Sequence, residues 1–188
     1  AAPLTAMLLV TLIGCAGQSG AAGAARAYHG KQYSQAAAAY RKLVDAGDRT
    51  HPTLYNYGTA LLAADSLTSA AEVLERAAEA TDAELRYRAL FNLGLSHLQR
   101  GLAAPTGQDS EALDAALAAY KKILLLRSDD MDAKWNYELA LRKKQEGGGR
   151  GGGGGGGGSD ESPSPEQQNP RPSGGLGQQQ AEQLLGSA

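Results

Sequence analysis

The chain has 188 residues but only one cysteine, one tryptophan and one phenylalanine. A lone Cys15 excludes an intrachain disulfide and a cysteine-built zinc site. An excess of either charge is also missing: 18 Lys and Arg face 20 Asp and Glu, for a net charge of −2. Between Arg26 and Glu146 the two signs balance at 16 each. A neutral body lacks the basic field that holds phosphates, so nucleic acid is excluded as a partner. The main apolar run, Leu4 to Ile13, is about half the length needed to cross a bilayer. Valine is scarce and no run of β-branched residues alternates with polar ones, which argues against a sheet. Catalytic signatures are absent as well. There is no His-Glu-x-x-His and no Gly-x-Ser-x-Gly, and the glycine run lacks the Gly-Lys-Ser/Thr of a phosphate loop. His29, His51 and His97 lack metal-ligand spacing and read as surface or packing residues. The expectation is a non-enzymatic chain with no catalytic residue, no metal site and no cofactor.

What is present is repetition. Leu54-Tyr55-Asn56-Tyr57-Gly58, Leu90-Phe91-Asn92-Leu93-Gly94 and Lys134-Trp135-Asn136-Tyr137-Glu138 echo one another. The first two are followed by Ala-x3-(Leu/Tyr)-x2-(Ala/Ile), as Ala70, Leu74, Ala77 and as Ala116, Tyr120, Ile123. A recurring helical unit implies stacked helix pairs rather than one closed core, and such stacks present binding surfaces. Apolar residues recur at three- and four-residue steps, for example Leu54, Tyr57, Leu61 and Leu113, Ala116, Leu117, Tyr120, Ile123, Leu124. That spacing lays a stripe on one face of a helix. The breakers between stripes delimit seven helices, at 20–29, 32–46, 52–64, 67–80, 83–101, 110–127 and 130–146. Ser66, Asp82, Ser110 and Asp129 are the expected N-caps, because their side-chain oxygens accept orphan backbone N–H groups. Glycine inside a helix costs about 1 kcal/mol relative to alanine, so Gly58 and Gly94 at equivalent places point to close helix contact.

These features resemble the tetratricopeptide repeat (TPR), a unit of about 34 residues with a small-residue and aromatic signature. Asn56 and Asn92 stand 36 residues apart and Asn92 and Asn136 stand 44 apart. The excess is expected in a turn at Glu84–Tyr87 and in a loop at Leu102–Glu111. The fold class is thus all-α, a TPR-like solenoid of about three helix pairs over residues 24–146, closed by a capping helix around Trp135. In TPR arrays the first helix of each pair lines the concave face. By that resemblance Asn56, Asn92 and Asn136 point into one groove, where their amides pair with the backbone of an extended peptide. The competing reading ties adjacent helices together through the same amides. Arg88 lies one turn before Asn92 and completes the candidate groove set, where it would meet a carboxylate. Tyr55, Phe91 and Trp135 read as packing between neighbouring units.

The flanks carry separate signals. Residues 1–15 read as an export signal ending in Leu12-Ile13-Gly14-Cys15, which resembles a bacterial lipobox with Cys15 as the acylation site. The competing reading is a signal that is simply cleaved. Residues 16–23 read as a tether. Residues 147–177 are a Gly-, Pro- and Gln-rich linker whose composition predicts disorder. Residues 178–186 read as a short amphipathic helix bearing Leu184 and Leu185, which can reach a partner or fold back on the groove.

The phrases Asp82-Ala-Glu-Leu-Arg-Tyr-Arg-Ala-Leu-Phe-Asn-Leu-Gly94 and Asp132-Ala-Lys-Trp-Asn-Tyr-Glu-Leu-Ala-Leu-Arg-Lys143, with the tail Ala181-Glu-Gln-Leu-Leu185, resemble the TPR proteins of bacterial aerotolerance (Bat) operons. The resemblance implies a scaffold in the cell envelope, facing the periplasm and held to the membrane by a lipid or signal anchor. Its implied protein partners are von Willebrand factor A-type membrane proteins beside a MoxR-like ATPase. The alternative is a structural TPR lipoprotein of an outer-membrane assembly complex. The lipobox reading predicts that labelled palmitate is incorporated into the wild-type chain and lost in Cys15→Ser, measured on gels of exported protein.

Overall fold

The computed structural model describes residues 20–104 and 109–148, and over these the chain is all-helical, with seven helices and no strand among the described residues. Helix α1 covers 20–29, α2 Tyr33–Asp45, α3 His51–Ala63, α4 Leu67–Ala77, α5 Ala83–Ala103, α6 Ser110–Leu126 and α7 Met131–Gly148. The export segment 1–15 with Cys15, the tether up to residue 19, the linker beyond residue 148 and the segment 178–186 lie outside the described residues.

Helix starts follow from local chemistry. The Asp82 carboxylate accepts the Leu85 N–H at 2.7 Å and caps α5, as its sequence position predicts. The caps expected at Ser110 and Asp129 each shift by one residue. Asp109 accepts the Ala112 N–H at 3.0 Å and Asp130 accepts the Ala133 N–H at 2.9 Å. The reason is the backbone: the Asp109 and Asp130 carbonyls already receive the first helical bonds, from Leu113 and Lys134. Ser66 stands at the cap of α4 without a side-chain bond. Ahead of α3, Asp48 does the organising. It accepts the Thr50 hydroxyl at 2.9 Å and the Thr53 hydroxyl at 2.9 Å. Desolvation opposes its charge, but the bonds from Thr50 and Thr53 outweigh it and hold the carboxyl below its ordinary range.

The first two pairs share one turn geometry. Lys31 and Asp65, 34 residues apart, both take a left-handed conformation, with φ of 59° and 58°. The Gln32 N–H closes on the Ala27 carbonyl at 2.9 Å, and the Ser66 N–H closes on the Leu61 carbonyl at 2.9 Å. The same bonds at the same offset make the two hairpins structural copies. The longer spacing later in the chain is not carried by a turn at Glu84–Tyr87. Those residues form the first turn of α5. Nor is the insertion at 102–111 wholly a loop. Leu102 and Ala103 extend α5 to 21 residues, against 13 in α3, and Ser110 and Glu111 open α6.

Packing runs in chain order: each helix from α2 to α7 lies against the next. Among the odd-numbered helices, α3 also touches α5 and α5 touches α7, whereas α2, α4 and α6 stay apart or meet only marginally. One row is therefore tighter than the other, and the stack curves with α3, α5 and α7 on the inner side. One buried cluster runs from Ala24 to Ala140 along the stack, and a smaller one gathers Val44, Leu54, Ala77 and Ala89. Its close contacts depend on glycine. A Cβ on Gly58 would fall 2.5 Å from Leu74 Cγ, one on Gly94 would fall 2.8 Å from the Tyr120 ring, and one on Gly101 would fall 2.7 Å from Leu113 Cδ2. Gly58→Ala and Gly94→Ala are expected to destabilise. The helix-propensity gain of about 1 kcal/mol is outweighed by overpacking of about 1–3 kcal/mol. Thermal unfolding should show each midpoint lowered by a few degrees.

Candidate binding surface

Three of the four groove candidates reach the molecular surface, and they do so in two clefts. The first cleft, of about 330 Å³, lies between the starts of α3 and α5 and is lined by Tyr55, Asn56, Asp82, Glu84, Leu85 and Arg88. Asn56 is exposed there. Arg88 Nε bonds Glu84 Oε1 at 2.8 Å, and Arg127 Nη2 bonds Glu84 Oε2 at 2.8 Å. These two hydrogen bonds, Arg127's being the stronger influence, hold the Glu84 carboxyl below its ordinary range. One carboxylate thus bridges two guanidinium groups, one from the first turns of α5 and one from the end of α6. Arg127 also lies over the Tyr87 ring, 3.8 Å from its centroid. Burial, with the Asp130 carboxylate beside the hydroxyl, pushes the Tyr87 phenol up to about 12.

Asn92 and Arg88 share a helix but not a cleft. Asn92 sits half-buried in a second cleft of about 410 Å³, with Tyr28 of α1 and Thr59, Leu62 and Asp65 of the α3 end. Its Nδ2 donates to Thr59 Oγ1 at 3.0 Å, tying α5 to α3. The interhelical reading of the asparagines therefore describes Asn92.

Asn136 departs from the groove expectation, because it is fully buried. Helix α7 is rolled so that Ala133, Asn136 and Ala140 form its inner face. The Asn136 amide lies beside the Tyr120 hydroxyl, and neither group completes a hydrogen bond. Burial drives the Tyr120 phenol far above its ordinary range, with the Asn136 amide opposing weakly. Along the array the same register position is exposed at Asn56, half-buried at Asn92 and interior at Asn136.

The sequence reading missed Glu84, Tyr87 and Arg127. The Glu-x-x-x-Arg spacing of Glu84 and Arg88 is a local i, i+4 pair, but Arg127 is 43 residues from Glu84 and no local signal marks it. A third cleft, of about 470 Å³, opens elsewhere, lined by Leu90, Leu93, Lys122, Leu125 and Leu126 with Glu75, Glu79 and Arg86. Among the described residues, no group of three His, Cys, Asp or Glu is placed to hold a metal ion, and no helix is long and apolar enough to cross a membrane. Compared with protein-family models and with curated proteins, the chain finds no match in either.

His97 occupies the packing position expected from sequence and carries a pH consequence. It is half-buried and its Nδ1 has no hydrogen-bond partner. Burial first, then the Arg100 charge, lowers its affinity for a proton, against smaller opposing effects of Glu75 and Asp109. The native state binds this proton less readily than the unfolded chain does. Stability from His97 is thus complete above about pH 6.5 and falls as pH drops through the lowered folded value. The unfolding midpoint is expected to decrease on acidification from about pH 7.5 to 5.5, and His97→Gln should flatten that slope.

Proposed function

We propose that this chain is a non-enzymatic, tetratricopeptide-type scaffold that binds a protein partner along the inner side of helices α3 and α5. The observation that carries the reading is the cleft in which Asn56 and Arg88 converge between α3 and α5, on the tighter side of the stack. An exposed amide there can pair with peptide backbone in either direction. Arg88 and Arg127 offer two guanidinium groups, and a partner carboxylate would compete with Glu84 for them. A partner fitting this site is an extended peptide with an acidic side chain.

The same proposal places the chain in the cell envelope, facing the periplasm, tethered through Cys15 and working in an aerotolerance-type assembly with von Willebrand factor A-type membrane proteins. Its support is the resemblance of the 82–94 and 132–143 phrases and of the lipobox-like Leu12-Ile13-Gly14-Cys15.

The test is crosslinking in intact membranes followed by capture of the chain. Recovery of von Willebrand factor A-type proteins is expected, and recovery of a β-barrel assembly complex would move the chain to the alternative class. Asn56→Ala and Arg88→Ala should each weaken capture by about tenfold, or about 1.4 kcal/mol. Both side chains are exposed, so the unfolding midpoint should stay within about 0.5 kcal/mol of wild type. Capture that is unchanged in both variants would remove this cleft as the site.

A further inference from the structure

Helix α7 stands in register with first-of-pair helices, and no second helix follows it among the described residues. In register, Tyr87, Phe91, Gly94 and His97 of α5 correspond to Met131, Trp135, Glu138 and Leu141 of α7. Of these positions in α5, the two middle ones meet α6: the Phe91 ring meets Tyr120 edge-on at 5.7 Å, and Gly94 lies against the same ring. In α7 they are open. Met131 is 40 %, Trp135 47 % and Leu141 38 % exposed, three of the five large hydrophobic side chains exposed among the described residues. An open stripe of this kind on one helix is a face awaiting a second helix.

The second helices of the array share a signature. Helix α2 carries Ala36, Tyr40 and Leu43, α4 carries Ala70, Leu74 and Ala77, and α6 carries Ala116, Tyr120 and Ile123. The middle residue is the one that enters the glycine contact in α4 and α6. Beyond α7 the chain repeats the pattern once more, as Ala181, Leu185 and Ala188, with Leu184 alongside. We infer that residues 178–188 of this chain dock on the Met131–Trp135–Leu141 face of α7 as its missing partner.

Reach permits it. About 30 linker residues give a mean span near 30 Å, at 5–6 Å times the square root of length. That matches α7 itself, whose 18 residues rise about 27 Å. Charge suits it too: Lys134 and Arg142 flank Glu138 one turn away on either side, and the tail brings Glu182. The α7 face differs from its counterparts at one point. Glu138 has a Cβ where Gly58 and Gly94 have none, which denies a docked segment the close approach that α4 and α6 make. The docking is consequently weak, held by the millimolar effective concentration of a short tether, and reversible.

Trp135 is the chain's one tryptophan, so its emission reports on this face alone. The experiment compares iodide quenching and emission wavelength of the full chain with those of Leu184→Ser/Leu185→Ser, whose changes lie outside the folded array. The variant should emit at longer wavelength and quench about twice as strongly. A synthetic peptide of residues 178–188 should restore protection in the variant only at about millimolar concentration. Identical quenching in the two proteins would overturn the inference. Protection that persists in the variant and fades on dilution would also overturn it, and would assign the face to a second copy of the chain.

Discussion

Close approach between the two helices of a pair is the constraint on which the rest of this structure depends. It is set by absent side chains. Gly58, Gly94 and Gly101 leave room that Leu74, Tyr120 and Leu113 fill. Each glycine costs helix propensity, and the offset comes from burying a large side chain completely: Leu74, Tyr120 and Leu113 are all fully buried. Because the pair contact is close, each odd helix comes near the next odd helix. The inner row forms, and with it the clefts of Asn56 and Asn92. At the equivalent place in α7 the small residue is replaced by Glu138.

Much of the fold was legible in the sequence because stacked helices encode themselves locally. Apolar spacing, capping aspartates and turn breakers all act within a few residues, and the seven helices fell within three residues of their expected ends. The local errors have local causes. A cap at Asp109 rather than Ser110 depends on which carbonyl receives the first helical bond, and composition does not decide that. The 102–111 segment reads as a loop by its Ala, Pro, Thr and Gly content, yet two of its residues at each end complete helices. The clearest mark of repetition, the left-handed pair Lys31 and Asp65, was invisible, since neither residue type announces that conformation.

The candidate site was less legible, because it depends on how far each helix rolls about its own axis. Sequence register makes Asn56, Asn92 and Asn136 equivalent. Roll makes one a surface amide, one an interhelical tie and one an interior group beside Tyr120. A helix covered on both sides, such as α5, is held by neighbours on two fronts. Among the described residues helix α7 packs chiefly on α6 and α5, and it turns its asparagine inward. Register predicts equivalence only between members with equivalent neighbours. Arg127 shows the same limit: its pairing with Glu84 joins the start of α5 to the end of α6, 43 residues apart, and no short window of sequence contains both.

The unequal spacing of the two helix rows has a mechanical consequence. Neighbouring inner helices are in contact and the outer ones meet at most marginally, so the stack resists further bending inward but yields when it is straightened or twisted. Elastic compliance therefore resides in the seams between hairpins, while each hairpin remains a stiff element. A load applied along such a coil changes the width of its inner channel before it disrupts any helix.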